Sequence, residues 1–232
     1  MILKYVKIII FFFVLPVFIN NKCFSQIIAV EDIGKSNFPK IKTINIFYNA
    51  AVTNARVADL SSLLDKVNRI YTNATKINLF INSYGGDTTA GFVAYQHIKS
   101  SRIPITTIAE GVVASMASIM FCASKDRLAL QEHSFFLLHA FFQYPNSAEG
   151  NIIHFEQDKE TLVKLSEIAK QIYRTCTNLS NKRLDSIMLS EDNHLLIRGK
   201  DAIKIGIISK IIDKIPQAQV SYYILDSDDN KE

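Results

Sequence analysis

A serine within the run 111–118, GVVASMAS, is the strongest candidate for chemistry in this sequence. Ser115 lies where a strand-like segment, 103–109, is followed by an apolar helix-like segment, 113–124. Backbone N–H groups in the first turn of a helix have no partner within that helix, so they favour a nearby oxyanion. A serine hydroxyl is a weak nucleophile and also needs a base that accepts its proton. The alternative is a buried helix that packs two small serines, Ser115 and Ser118, against a neighbour.

Two other parts of the sequence contain the groups that such a serine needs. Gly85 and Gly86 follow a short buried strand, 77–81, and glycine allows positive φ and close backbone approach. His139 follows another short strand and has the side chain of a general base. A plain tight turn and a core histidine are the structural alternatives. All these residues lie at the ends of elements, which is where an α/β sheet carries its site.

The elements that must position these residues alternate between strands and helices, which predicts an α/β fold with a mainly parallel sheet. Predicted strands cover 43–48, 77–81, 103–109, 127–131, 134–138 and 207–212. Predicted helices cover 57–71, a segment capped at Asp87 or Thr88 that runs to about Lys99, 113–124, 149–177, 184–189 and 199–205. Asn54 is a candidate cap for the first helix.

The first 25 residues have the composition of a secretory signal peptide. Lys4 and Lys7 precede an apolar stretch, 8–19, and a short polar segment follows it. The apolar stretch is shorter than the about 20 residues that cross a membrane. We therefore expect export, with cleavage before Gln26. An N-terminal anchor that stays uncleaved is the alternative.

Cleavage changes the charge and defines the domain organisation. Removing three lysines leaves 23 basic against 22 acidic residues, so the formal charge of +4 gives no indication of nucleic-acid binding. The rest predicts one domain, 26–216, and a polar tail with an acidic end, 217–232. Cys122 and Cys176 remain in the mature chain. An oxidising compartment would allow them to form a disulfide, but their spacing does not show that they meet.

Four groups of short motifs resemble the proteolytic subunit of Clp protease, a serine peptidase with the ClpP/crotonase fold. They occur in the family's order, at 80–86 with 89–91, at 111–116, at 136–139, and at 201–202 with 205–207. The resemblance covers 43–213, which is most of the mature chain. It implies a spiral of strand–helix units with a long protruding handle helix, for which 149–177 is the candidate.

The resemblance also implies roles for the residues with which we began. Ser115 matches the nucleophile and His139 matches its general base. The backbone N–H groups of Gly86 and Met116 match the donors of the oxyanion hole. No metal or organic cofactor is implied.

The third member of a catalytic triad is left open by the sequence. Counting back without gaps from Asp201 places His194 at the family's aspartate position. Asp192 lies two residues earlier and has a carboxylate, which orients an imidazole and stabilises the imidazolium better than a second histidine does. A dyad of Ser115 and His139 is the third possibility.

As a function, the resemblance implies a serine endopeptidase that cleaves small or unfolded polypeptides inside stacked seven-membered rings. A ring-shaped ATP-dependent unfoldase is the family's usual partner, but an exported chain would be separated from nucleotide. We therefore expect a homo-oligomer that works without ATP. The alternatives are an inactive scaffold with the same fold, and a membrane-associated peptidase with a Ser/Lys dyad, for which Lys125 and Lys159 are available.

Overall fold

The computed structural model describes residues 27–31, 40–141 and 152–226, and within these ranges nine strands form one mixed sheet. The strands are β1 (Ile27–Glu31), β2 (Thr43–Asn49), β3 (Lys76–Ser83), β4 (Ile105–Ala114), β5 (Asp126–Leu130), β6 (Phe135–Leu138), β7 (Leu195–Arg198), β8 (Lys210–Ile212) and β9 (Val220–Leu225). The helices are α1 (Asn54–Ile70), α2 (Thr88–Lys99), α3 (Met116–Phe121), α4 (Ile152–Cys176), α5 (Asn181–Leu189) and α6 (Gly199–Lys204). The predicted signal peptide lies outside the described residues.

The sheet has the order β1-β9-β2-β3-β4-β5-β8. Every neighbouring pair from β9 to β8 is parallel, and only β1 runs antiparallel to its neighbour along this path. The remaining two strands extend from the second half of β4, because β6 pairs with β4 in parallel and β7 pairs with β6 antiparallel. The predicted α/β fold with a mainly parallel sheet is confirmed.

The segment around Ser115 contains more strand and less helix than its sequence indicates. The strand β4 continues to Ala114, whereas α3 begins only at Met116 and ends at Phe121. The second half of β4 pairs with β6, with Val113 opposite Phe136. These inter-strand hydrogen bonds hold the β-branched pair Val112-Val113 in an extended conformation, which suits such residues better than a helix.

The sheet buries apolar side chains on both of its faces. One face packs against the helices, and its strand residues include Ile46, Leu79 and Ala109 in a core with the apolar residues of α1, α2 and α3. The opposite face has a second apolar cluster, in which the Phe47 ring stacks on Phe80 at 4.5 Å between centroids. Alternation along each strand produces the two faces.

The structure revises the predicted boundary after residue 216. Within the expected polar tail, Val220–Leu225 form β9, which lies between β1 and β2 in the sheet. Val220, Tyr222 and Ile224 are buried, and the residues between them are less so. This period of two is the pattern of a strand with one face in the core, and the polar residues on either side of it obscure the signal.

The helix α4 is the candidate handle, and its C-terminal part packs against the body of the domain. Ala169, Ile172, Tyr173 and Cys176 are buried there, whereas Val163 is 55% exposed. Among the described residues, no helix has both the length and the apolar composition needed to span a membrane.

A disulfide joins the end of α4 to the end of α3. Cys122 and Cys176 are bonded, with their Cα atoms 5.5 Å apart, and both residues are buried. The sequence left this pairing open, because the two cysteines are separated by 54 positions and meet only through the tertiary fold. The bond connects the helix that follows Ser115 to the candidate handle.

Candidate active site

Ser115 lies between β4 and α3 with an unusual backbone conformation. It is the residue before the first turn of α3, with φ of 54° and ψ of −128°. A positive φ is costly for a residue with a side chain and persists only where the surroundings impose it. Here the Ser115 N–H donates to the Leu137 carbonyl at 2.8 Å, and the Ser115 carbonyl accepts from the Ser118 N–H at 2.9 Å. Ser115 therefore lies at a sharp turn between β4 and α3.

Met116 supplies one backbone donor beside this serine. It is the first residue of α3, so its N–H has no acceptor within the helix. Its side chain is buried against α2, where a Cβ on Gly91 would lie only 2.4 Å from the Met116 Cε. Glycine at position 91 therefore lets α2 approach α3 closely and fixes the start of α3.

The turn after β3 brings a second backbone donor to the same place. Gly85 has φ of 93°, and a Cβ on it would lie 2.6 Å from the Ser115 Cβ and 3.0 Å from the Met116 nitrogen. Only a glycine permits this approach. The Gly85-Gly86 turn therefore lies directly against the serine and the first residue of α3.

The hydrogen bonds of this turn determine where the Gly86 N–H points. Val52 forms a parallel bridge with Gly86, in which the Val52 N–H donates to the Gly85 carbonyl at 2.8 Å and the Asp87 N–H donates to the Val52 carbonyl at 2.7 Å. Such a bridge uses the groups that flank Gly86, so the N–H of Gly86 itself points away from Val52. The side chain of Asp87 also accepts from the Ala90 N–H and caps α2, as predicted.

His139 lies next to the serine segment because β6 pairs with β4. Ala114 is opposite Leu137 in this pair, and His139 is the second residue after Leu137. The Nδ1 atom of His139 lies 2.6 Å from the Oε1 atom of Glu191. An acceptor at this position favours the tautomer with hydrogen on Nδ1, which leaves Nε2 as the proton-accepting nitrogen.

Glu191 was not among the residues that the sequence suggested for this contact. Asp192 and His194 were the candidates, and both side chains are exposed. The His194 Nδ1 atom is 2.9 Å from the Glu191 carbonyl oxygen, and the contact with His139 described above is made by Glu191. The carboxylate that the structure places at Nδ1 of His139 is therefore that of Glu191, which the sequence did not propose.

The local structure explains the offset of three positions. Residues Glu191–Asn193 form a short 3-10 helix, and the His194 N–H donates to the Glu191 carbonyl at 3.1 Å. Side chains three residues apart in such a helix lie nearly above one another. Glu191 therefore shares a side of the turn with His194, the position that gapless counting selects. A glutamate three residues before that position was the available signal.

The two lysines proposed for a Ser/Lys dyad lie elsewhere. Lys125 lines a cavity with Thr75 and Pro104, at the start of β3 and β4, whereas Ser115 follows the end of β4. Lys159 lies on α4 and lines a groove between α4 and α5. The segment that lies beside Ser115 contains a histidine, His139. The structure therefore gives the Ser/Lys dyad no support.

Comparison with known proteins identifies the family. The family model for Clp protease matches residues 40–215, so the chain belongs to the Clp protease family and is a serine-type peptidase. The match ends before β9, although that strand is part of the sheet.

Individual relatives agree with this assignment. The ATP-dependent Clp protease proteolytic subunit 2 of Treponema denticola is 31% identical over 141 residues, which cover 60% of this chain and 68% of that protein. The ATP-dependent Clp protease proteolytic subunit of Deinococcus radiodurans is 28% identical over 165 residues, which cover 70% and 75%. A solved structure of a ClpP1 mutant from Listeria monocytogenes matches with a TM-score of 0.61 at 18% identity, over 73% of this chain and 91% of that one. The structural match shows that the fold is shared.

Proposed function

We propose that this chain is a serine endopeptidase in which Ser115 is the nucleophile and His139 is the general base. The Ser115 Oγ bonds to the peptide carbonyl carbon while His139 takes the hydroxyl proton, and that proton then passes to the leaving amine as the C–N bond breaks. Water hydrolyses the resulting acyl-enzyme by the same route. The observation that carries this proposal is the strained Ser115 backbone, with the Gly85-Gly86 turn and the first N–H of α3 packed directly beside it.

Those two N–H groups, of Gly86 and Met116, form the oxyanion hole in this proposal. They stabilise the negative charge that develops on the carbonyl oxygen, a contribution that commonly supplies about 3–4 kcal/mol for each donor. Glu191 orients His139 through Nδ1 and stabilises the imidazolium that forms during the reaction. The chain's own residues complete this mechanism without a metal ion or an organic cofactor.

A ring-shaped homo-oligomer is the second part of the proposal. Val163 and Ile168 on α4 and Leu189 at the end of α5 are large apolar residues with 55%, 43% and 80% exposure. Such exposure on two neighbouring helices is typical of a surface that another subunit covers. The named relatives are subunits of Clp protease, which supports assembly with further subunits. We propose stacked seven-membered rings held together through α4, as the family resemblance implies.

Export is the third part, and the disulfide supports it. Disulfides form and persist in oxidising compartments and are rare in the cytoplasm, where thiols are kept reduced. The bond between Cys122 and Cys176 therefore suits a protein outside the cytoplasmic membrane. It agrees with the signal-peptide composition of the first 25 residues. We infer a periplasmic or other extracytoplasmic enzyme, cleaved before Gln26.

Export of a ring-shaped oligomer limits the substrates that it can cleave. Unfoldase rings consume nucleotide, which is normally absent outside the cytoplasmic membrane. The proposed enzyme therefore acts without ATP on short or unfolded polypeptides that diffuse into the chamber. Both relatives are named as ATP-dependent, so nucleotide dependence is the point on which this chain is expected to differ.

Expression of the full-length chain followed by cell fractionation tests localisation and activity together. We expect an extracytoplasmic protein that begins at Gln26 and cleaves small fluorogenic peptides equally with and without ATP. A Ser115→Ala preparation made in parallel controls for contaminating proteases. A cytoplasmic protein that begins at Met1 and purifies with an ATPase would contradict export and ATP independence. Failure of the extracytoplasmic protein to cleave any peptide would contradict the peptidase proposal itself.

A further inference from the structure

A chain of three oxygen atoms links the candidate handle to the backbone of the nucleophile. The Tyr173 hydroxyl on α4 lies 2.7 Å from the Ser118 hydroxyl on α3, and Ser118 Oγ lies 2.6 Å from the Ser115 carbonyl oxygen. Tyr173 is 2% exposed and Ser118 is fully buried. The buried hydroxyls are therefore satisfied by one another and by a single backbone group.

The number of hydrogens fixes the direction of this chain. A carbonyl oxygen only accepts, so Ser118 uses its one hydroxyl hydrogen on the Ser115 carbonyl. The Tyr173 hydroxyl must then be the donor to Ser118. Burial raises the pKa of Tyr173, which keeps its hydroxyl protonated at any physiological pH. Both hydrogen bonds therefore have a fixed direction: Tyr173 donates to Ser118, and Ser118 donates to the Ser115 carbonyl.

The carbonyl at the end of this chain belongs to the same peptide group as the N–H of Met116. It accepts two hydrogen bonds, from the N–H and from the hydroxyl of Ser118. Hydrogen bonds to an amide oxygen polarise the whole amide and make its N–H a stronger donor, an effect that a dry site preserves. They also hold the peptide plane, and with it the direction of the Met116 N–H.

We propose that Tyr173 and Ser118 are positioning residues that orient and polarise the Met116 N–H for oxyanion stabilisation. This inference rests on the proposed function, because it needs Ser115 as the nucleophile. The disulfide reinforces the same contact one turn further on. Tyr173 and Cys176 lie on one side of α4, and Ser118 and Cys122 lie on one side of α3, so two ties hold α3 against α4.

Tyr173→Phe tests the inference, with Tyr222→Phe as a matched control. The control also removes a hydroxyl from a buried pair, since the Tyr71 and Tyr222 hydroxyls lie 2.6 Å apart. This pair joins β9 to the residue that follows α1, away from α3 and α4. We expect Tyr173→Phe to lower kcat for a peptide substrate by roughly three- to tenfold, the worth of one hydrogen bond, with KM unchanged. Affinity for a peptide aldehyde, whose adduct places an oxyanion at the same donors, should fall by the same factor.

Ser118→Ala provides a second, independent variant, because it shortens the same chain at its middle. We expect its effect on kcat to be at least that of Tyr173→Phe, and the double variant to be no worse than Ser118→Ala alone. A merely structural role would lower the unfolding midpoint in all variants, including Tyr222→Phe, and leave kcat and aldehyde affinity unchanged. That result, with an active wild-type enzyme, would overturn the inference alone. A wild-type enzyme that cleaves no peptide would overturn the proposed function instead.

Discussion

The candidate active site has two halves, one around Ser115 and one around His139 and Glu191, and the surrounding structure holds the first more firmly. On the nucleophile side, Ser115 is fixed through both of its backbone groups, and Met116 behind it is 1% exposed. On the histidine side, the Glu191 side chain is 53% exposed and belongs to a single turn of 3-10 helix. The first half is fixed by the sheet and the core, whereas the carboxylate of the second half lies at the surface.

This difference indicates which half of the site tolerates change. Oxyanion stabilisation depends on donors held in place before the reaction, so a peptidase gains most from rigidity around Ser115. A carboxylate that orients an imidazole can be supplied from more than one backbone position, provided that it reaches Nδ1. In the proposed mechanism Glu191 is such a replacement, three residues before the position that gapless counting selects.

The largest effect is expected for the two residues, one from each half, between which the proton passes in the proposed reaction. Ser115→Ala and His139→Ala should each lower kcat for peptide hydrolysis by on the order of 10⁴-fold or more, because residues that act as one unit are not additive. The double variant should be no slower than either single variant. Steady-state assays with a fluorogenic peptide measure this, and circular dichroism controls for folding. Wild-type turnover in either single variant would refute the mechanism.

The next effect concerns the rigid half and its disulfide. Replacing both Cys122 and Cys176 with serine should lower the free energy of unfolding by about 4 kcal/mol, from the chain entropy of a loop that spans 54 positions. Urea unfolding of the wild type, the double variant and the chemically reduced wild type measures it. The last two should agree. An unchanged midpoint after verified reduction would show that the bond does not stabilise this half.

The surface half should respond more weakly. Glu191→Gln keeps the shape but removes the negative charge beside His139, so we expect kcat to fall roughly ten- to a hundredfold, in line with one charge-assisted hydrogen bond. Asp192→Asn is the matched control, since it makes the same chemical change one residue away, and His194→Ala tests the aligned position. Both should retain nearly full activity. A larger loss in either of them than in Glu191→Gln would reassign the third member.

The smallest effect is expected on β4 itself, five residues before the nucleophile. Burial raises the pKa of Glu110, so the folded protein binds a proton more readily than the unfolded chain does. Stability from this group is therefore fully present below the ordinary glutamate pKa of 4.5 that applies to the unfolded chain, and it is lost as the pH rises through the folded-state pKa. Glu110→Gln should modestly raise the free energy of unfolding at pH 7 and make little difference at pH 4, where the carboxyl is largely protonated in both states.

Urea unfolding at both pH values measures the Glu110 effect. The exposed Glu132 supplies the control, because Glu132→Gln changes the same group without a buried environment. A Glu110→Gln variant that is less stable than the wild type at pH 7 would show that the carboxylate stabilises the strand.

The half around Ser115 is also the half that the sequence predicts better. The run around Ser115 and the pair Gly85-Gly86 specify backbone conformations, and such requirements act over a few residues. The strands and helices that carry them were predicted for the same reason, apart from the point where β4 passes into α3. There, pairing with β6 overrode the local helical pattern.

The features that the sequence did not reveal depend on contacts between distant segments. Glu191 reaches His139 across 52 positions, and Cys122 meets Cys176 across 54. The strand β9 lies between β1 and β2, far from its neighbours in the chain, and its polar flanks conceal a pattern of three buried residues. Periodicity and motif spacing carry no information on which distant segments pair.

Covalent labelling of the mature protein with a fluorophosphonate probe tests whether Ser115 is an activated nucleophile, because the probe reacts with an activated serine and not with an ordinary one. Mass spectrometry of the digested protein locates the modification. We predict a single label on Ser115, abolished in Ser115→Ala and in His139→Ala and slowed in Glu191→Gln. An unlabelled Ser115 in a folded protein, or a label on a different serine, would contradict it.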